Sequence, residues 1–393
     1  MIPGVSAGVL TCASGAAMVL SYLLTPIVSR CATLVGAVDS PAARRTHSGS
    51  VPRLGGVAIF VAWAVALLGL GAWGSWSPPA GTMRIAVACF TLFLVGVLDD
   101  LLDLPAMFRL VIQILAAYLA CASGLRLPLV SLFAEFLPGL NGFGPVLDSL
   151  DFLVTMGWIV GITNALNFMD GLDFLVTGMC LVAVAALSVI AFQAQRADIL
   201  GLLVVLAGAV VGFSPHNRHP ARIFLGDSGS TFLGYNLALF TVVLIPGNAM
   251  PEGLARPHGP PVLPFPSMVL FPFITLGIPF FDALYAIGRR LSRGVNPMKA
   301  DRGHLHHRLL SLGRSHADAS RFLVFRSGVL ALAGIVATQG PILALASGAC
   351  AAGGALWLVR RLSLLDPAVI EEGVFAGSDP KGGASTGPPG NGP

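Results

Sequence analysis

The stretch MRIAVACFTLFLVGVLDD, residues 83–100, carries a single charge, Arg84, until it ends on the paired carboxylates Asp99 and Asp100. A run that is apolar along its length and ionised at one end has the pattern of a helix crossing a bilayer. Two adjacent carboxylates, with Asp103 close behind, repel one another and are costly beside hydrocarbon. A bound cation or a proton-transfer task would explain keeping them; capping of a helix end is the plain alternative.

The rest of the chain extends this reading. Of its 393 residues 55% are hydrophobic and 11% charged, against about 25% charged in an ordinary soluble domain. With a mean hydropathy of +0.81, there are too few charges to coat a water-facing surface of this size. The expected fold class is all-α and polytopic, solvated mostly by lipid. Six scattered cysteines without a CxxC pair suggest neither a disulfide framework nor a zinc site.

Apolar runs near 4–27, 54–73, 83–98, 109–124, 150–165, 174–192, 199–213, 228–246, 265–286, 322–340 and 341–359 predict about eleven transmembrane helices. The first run lacks a basic leader and is followed by Arg30, which predicts a retained first span with its N-terminus outside. That layout puts 18 of the 23 Lys and Arg in inner loops, eight of them in 287–321, as the positive-inside rule requires. Seven of the eight histidines and most of the loop aspartates fall on the same side, so the active face is expected to be cytoplasmic. Residues 1–365 read as one multi-span domain. Residues 366–393 read as a disordered cytoplasmic tail, since the segment from Gly373 is rich in Gly, Pro and Ser.

Four further inner segments carry chemistry. In NALNFMDGLD, Asn167, Asp170 and Asp173 are spaced by three and offer the hard oxygens that suit Mg²⁺; an Asn/Asp-rich turn accounts for them equally well. In FLGDSGS, Asp227 stands between Gly226 and Gly229 at a helix start, where free backbone N–H groups favour phosphate; N-capping is the alternative. The loop 289–308 holds DRGHLHHRLL, whose Arg302, His304, His306, His307 and Arg308 fit diphosphate recognition better than metal ligation. The loop 28–53 adds Arg44, Arg45 and His47 before Gly55-Gly56. Carboxylates and Asn for a cation, with Arg and His for phosphates, suit phosphoryl transfer, where catalysis is mostly positioning and charge neutralisation.

In order, GAVDSPAARRTHSGSVPRLGG, LVGVLDDLLDLP, NALNFMDGLDFL, NRHPARIFLGDSGS and DRGHLHHRLL, all within residues 36–313, resemble the polyprenyl-phosphate N-acetylhexosamine-1-phosphate transferases of the MraY and WecA types. The resemblance implies that undecaprenyl phosphate attacks the β-phosphate of a UDP-linked N-acetylhexosamine, releasing UMP and leaving a lipid-diphosphate sugar. By motif position, Asp227 and Asn167 match the Mg²⁺ ligands, with Mn²⁺ as a substitute. Asp99 and Asp100 match a pair that handles the lipid phosphate. That phosphate has its second pKa near about 6, so electrostatic placement outweighs proton abstraction. Phe224 matches an aromatic that stacks on uracil, and Asn217 and Asp173 match uridine contacts. Arg45, His47 and Asp170 count among the substrate-binding residues. Arg302, His304 and His306 match the loop that holds diphosphate and sugar.

The His304-Leu305-His306-His307 pattern and the loop before Gly55 point to the WecA/TagO-like branch, hence to UDP-N-acetylglucosamine and the start of a cell-surface polysaccharide such as O-antigen. The alternatives are a phospho-N-acetylmuramoyl-pentapeptide transferase, using the larger muramyl-pentapeptide nucleotide, or another UDP-N-acetylhexosamine donor. Phe174 and Val176 stand where the family usually has Gly and Ala, and a bulky ring beside Asp173 is expected to reshape the nucleotide or sugar pocket. The implied setting is the bacterial inner membrane, with no nucleic-acid partner and a homodimer left open. A cation-coupled transporter is disfavoured, because transporters keep their ionisable groups near the bilayer midplane.

Overall fold

Short polar or proline-bearing segments set the helix limits. The Ser6 and Ser315 side chains accept the Val9 and Asp318 N–H groups (3.3 and 3.2 Å), while Pro145 and Pro341 open two others. The computed structural model describes residues 6–39, 50–72, 82–134, 137, 143–245, 267–292, 294 and 304–363. Among them the chain forms α1 (Ala7–Leu34), a hairpin of β1 (Val38–Asp39) and β2 (Val51–Pro52), α2 (Gly55–Ala72), α3 (Thr82–Leu102), α4 (Ala106–Ala122), α5 (Leu129–Ala134) and α6 (Gly144–Met169). There follow α7 (Leu175–Gln193), α8 (Ala197–Asn217), α9 (Gly226–Val243), α10 (Ser267–Thr275), α11 (Gly277–Ser292), α12 (Leu305–Ser311), α13 (His316–Ala337) and α14 (Pro341–Ser363). The protein is thus all-α and polytopic, and each of the eleven apolar runs holds helix.

Among the described residues seven helices (α1, α2, α3, α6, α7, α8 and α13) are long and apolar enough to cross a membrane. The remaining runs depart from the simple picture. α4 is shorter, at 17 residues. The run at 265–286 is two helices, α10 and α11, separated at Leu276. α3 continues past 98 to Leu102, so Asp99 and Asp100 sit in its last turns instead of in a loop. The predicted tail, 366–393, lies outside the described residues.

α9 is the axis of the bundle. Every residue from Ser228 to Val243 is buried, and α2, α3, α6 and α7 pack around it. A helix enclosed by other helices does not face lipid, so it tolerates polar side chains that find partners. Thr241 Oγ1 accepts the Trp158 indole N–H (3.0 Å), and Asn236 Nδ2 donates to the Phe232 carbonyl (2.8 Å). α3 reaches the α9 backbone at Gly96, where an added Cβ would lie 2.6 Å from Ser228 Cα.

Gly96→Val is therefore expected to lower the thermal unfolding midpoint of detergent-solubilised protein by at least the ~1–3 kcal/mol equivalent of an overpacked core. Gly69→Ala, at a helical position with nothing within 4 Å, is expected to leave the midpoint unchanged or raise it slightly.

Candidate functional site

The first turn of α9 presents backbone N–H groups that have no partner within their own helix. Asp100, only 1% exposed, reaches across from α3 and takes two of them. Its Oδ1 accepts the Asp227 N–H (2.8 Å) and its Oδ2 the Ser228 N–H (3.0 Å). Asp170, the C-cap of α6, takes the Gly226 N–H. Gly226 has φ +76°, and a Cβ there would lie 2.6 Å from Asp100 Oδ2, so this turn admits glycine alone. Burial, followed by the charges of Asp227, Asp100 and Asp173, pushes the Asp170 carboxyl well above the usual carboxylate range.

Asp99 is equally hidden, at 3% exposure. Its Oδ1 accepts the Leu104 N–H (2.8 Å), and its Oδ2 pairs with Arg109 of α4. The same guanidinium nitrogen lies 3.8 Å from Asp227 Oδ2. Asn167 Nδ2 donates to Asp227 Oδ1 and to Ser230 Oγ, the latter at 3.0 Å. Asp227 itself is partly exposed. Asp99, Asp100, Asn167, Asp170 and Asp227 thus meet at one end of the bundle. Asp103 leaves the group, since it is exposed and pairs with Arg53 (3.5 Å). Asn167, Asp170 and Asp173 do not share one helical face, because α6 ends at Met169 and the two aspartates follow in a turn.

The uridine candidates are more occupied than their sequence suggests. Asn217 is buried; its Oδ1 accepts from the Phe174 N–H (3.1 Å) and Thr177 Oγ1 (2.8 Å), and its Nδ2 donates to the Ile223 carbonyl (3.1 Å). Asp173 Oδ2 meets His219 Nδ1 (2.7 Å) and the Ala221 N–H (3.1 Å). Together they hold the segment 218–224 in place. Phe224 is half-buried, and its backbone bonds to Pro52 and Gly55 join the β hairpin to this segment. Phe174 adopts φ +65°, the left-handed region where glycine is at home. Its ring lies against Gly178, with the Arg218 guanidinium 5.5 Å away.

The histidine segment closes the site from the other side. His304 is buried, with Nδ1 2.7 Å from Asp282 Oδ2 and its ring 5.7 Å from Phe168. His306, also buried, abuts Gly171 of the aspartate turn. Burial, then His307, His304 and His316, pushes the His306 imidazole far below its usual range, so it is neutral near pH 7. Arg45, His47 and Arg302 lie outside the described residues.

A groove of about 290 Å³ lies between α6 and α11. Its lining includes Trp158, Gly161, Ile162, Ala165, Phe280 and Leu284.

Sequence reading did not single out Arg109 or Asp282. Arg109 counted only as a loop charge. Asp282 had a signal, since it is a lone carboxylate inside the run 265–286 and such residues are rarely idle.

The glycosyl transferase family 4 profile matches residues 82–245. A probable undecaprenyl-phosphate N-acetylglucosaminyl 1-phosphate transferase of Bacillus subtilis is 34% identical over 298 residues, 75% of each chain. A decaprenyl-phosphate N-acetylglucosaminephosphotransferase of Mycolicibacterium smegmatis is 34% identical over 334 residues, 80% of this chain and 79% of that one. The undecaprenyl-phosphate alpha-N-acetylglucosaminyl 1-phosphate transferase of Escherichia coli is 26% identical over 309 residues, 77% of each chain.

Arg109→Ala would leave the Asp99 carboxylate buried without its cation. It is expected to destabilise the protein by about 3 kcal/mol, read as a drop in the denaturation midpoint. Adding Asp99→Asn to that variant is expected to recover part of the loss.

Proposed function

The chain belongs to glycosyl transferase family 4, and we propose that it carries out the reaction for which its relatives are named, transfer of N-acetylglucosamine 1-phosphate to a polyprenyl phosphate. The observation that carries this reading is the convergence of Asn167, Asp170 and Asp227 with the Asp99–Arg109 pair, with an apolar groove along the same helix α6. Carboxylates beside a lipid-like cleft suit one water-soluble anionic substrate and one membrane-bound anionic substrate.

The donor in this reading is UDP-N-acetylglucosamine, and the acceptor is undecaprenyl phosphate or a close relative. The acceptor's phosphate oxygen attacks the donor β-phosphorus; the bond to the UMP oxygen breaks, and UMP leaves. Arg109, steered by Asp99, lies 3.8 Å from Asp227 and offers its guanidinium to an incoming phosphate. The groove takes the first isoprene units of the acceptor. His304 meets the donor's sugar. With α9 buried and capped, its first turn is a rigid floor on which these groups are held.

The donor set fits Mg²⁺. Among the described residues no three His, Cys, Asp or Glu side chains form a metal cage, whereas Mg²⁺ is ordinarily held by one or two carboxylates together with substrate phosphates. Asp227 and Asn167 are the residues that would hold it. When bound, it would neutralise charge on the diphosphate and on departing UMP. The site would face the cytoplasm in the bacterial inner membrane, on the distribution of basic loops.

Purified protein with undecaprenyl phosphate, UDP-N-acetylglucosamine and Mg²⁺ is expected to release UMP, and EDTA should stop it until Mg²⁺ is restored. Asp227→Asn should lower turnover by at least about 100-fold, on the scale of losing one preorganised charge-stabilising group; wild-type turnover would refute the assignment. Gly161→Phe, which fills the groove, should raise KM for the long-chain acceptor and leave KM for the sugar nucleotide unchanged.

A further inference from the structure

Asp282 has no part in the cluster of carboxylates around α9. It lies on α11, buried to 3% exposure, on the helix whose Phe280, Ala283 and Leu284 line the apolar groove. Its two oxygens serve one short stretch of chain. Oδ1 accepts the Leu305 N–H (2.8 Å), and Oδ2 meets His304 Nδ1 (2.7 Å). One carboxylate therefore sets both where α12 begins and how the His304 ring is turned.

An ionised carboxylate only accepts hydrogen bonds, so the His304 nitrogen facing Asp282 must carry the proton. Nε2 is then a bare acceptor, left to take a hydrogen bond from a substrate hydroxyl or amide N–H. The His304 ring stands 5.7 Å from Phe168, next in sequence to Asn167, and is nearly parallel to His306 (8°, centroids 6.1 Å apart). His306 in turn presses on Gly171, beside Asp170. The start of α12 thus fixes two histidines over the end of α6 that carries Asn167 and the turn that carries Asp170. A buried acid that orients an imidazole in this way also determines its tautomer.

We propose that Asp282 is a positioning residue for the transfer reaction: it holds His304 in the Nδ1–H tautomer, with Nε2 directed as an acceptor at a hydroxyl or the amide N–H of the donor's sugar. This inference rests on the phosphotransferase reading given above. It goes beyond that reading by giving the catalytic geometry a determinant on the groove-lining helix.

The decisive variant is Asp282→Asn. Its Oδ1 can still accept the Leu305 N–H, so α12 keeps its start. Its Nδ2, a donor, then faces His304 Nδ1 and forces the proton to Nε2. In ¹⁵N-histidine-labelled protein, one signal, identified by its loss in His304→Gln, is expected to report Nδ1–H in the wild type and Nε2–H in Asp282→Asn. A signal that does not change would overturn the proposal. In the UMP-release assay, Asp282→Asn is expected to lower kcat/KM for the sugar nucleotide by about 10–100-fold, as when a carboxylate that orients a histidine is removed elsewhere. The thermal midpoint should be unchanged. In a His304→Ala background the same substitution should cost nothing further, because its effect runs through that ring. Losses that multiply in the double variant would mean that Asp282 acts independently of His304, and would overturn the proposal. A wild-type protein that releases no UMP from any donor would refute the phosphotransferase reading; the tautomer measurement would still decide the Asp282–His304 relation.

Discussion

Much of this structure depends on a buried carboxylate that binds another helix's backbone. Asp100 closes two N–H groups at the start of α9, and Asp170 closes a third. A buried backbone N–H left without a partner costs about 1–3 kcal/mol. The positive end of the α9 dipole gives the carboxylates a favourable field in return. α3, α6 and α9 are thereby locked at one end, and that end is where Asp227 emerges. Asp100 thus serves as a cap in this fold, and the partly exposed Asp227 and Arg109 carry the open side of the site.

The same device recurs around the bundle. Asp282 caps the first N–H of α12, and Asp151 accepts the Val130 and Ser131 N–H groups at the start of α5. Each is a buried acid on a long helix holding the beginning of a short one. Short helices cannot stabilise themselves, because few of their backbone groups find partners within them. An acid supplied from a rigid neighbour lets such pieces sit where they are needed, beside the groove and over the aspartate turn. Breaks in helices at membrane depth are tolerated only where protein covers them. The interruption at Leu276, itself buried, obeys that rule.

Phe174 illustrates a local choice that the fold overrides. A phenylalanine at φ +65° has a backbone conformation that L side chains rarely adopt. The Phe174 N–H is anchored by Asn217 while its ring packs beside Gly178 of α7. The surrounding contacts over-determine the turn, so it holds without the glycine that would fit it most easily.

Composition and periodicity were enough to determine an all-α membrane protein, the positions of its apolar runs and the segments that carry its chemistry. Hydrophobicity is a local property of the chain, and the ordered motifs need no folding to be read. Side-chain partnership is not local. Asn217 and Asp173 look like free polar groups in a loop, yet both are hydrogen-bonded within the protein across more than forty residues of sequence. Arg109 reads as one inner-loop charge among many until α3 and α4 pack and bring it to Asp99. Asp282 reads as an acid stranded in an apolar run until α12 folds back onto α11. The sequence determined which residues are able to bind a phosphate or a cation. Only the tertiary structure decided which of them are already engaged in holding the backbone, because that depends on which helix ends meet.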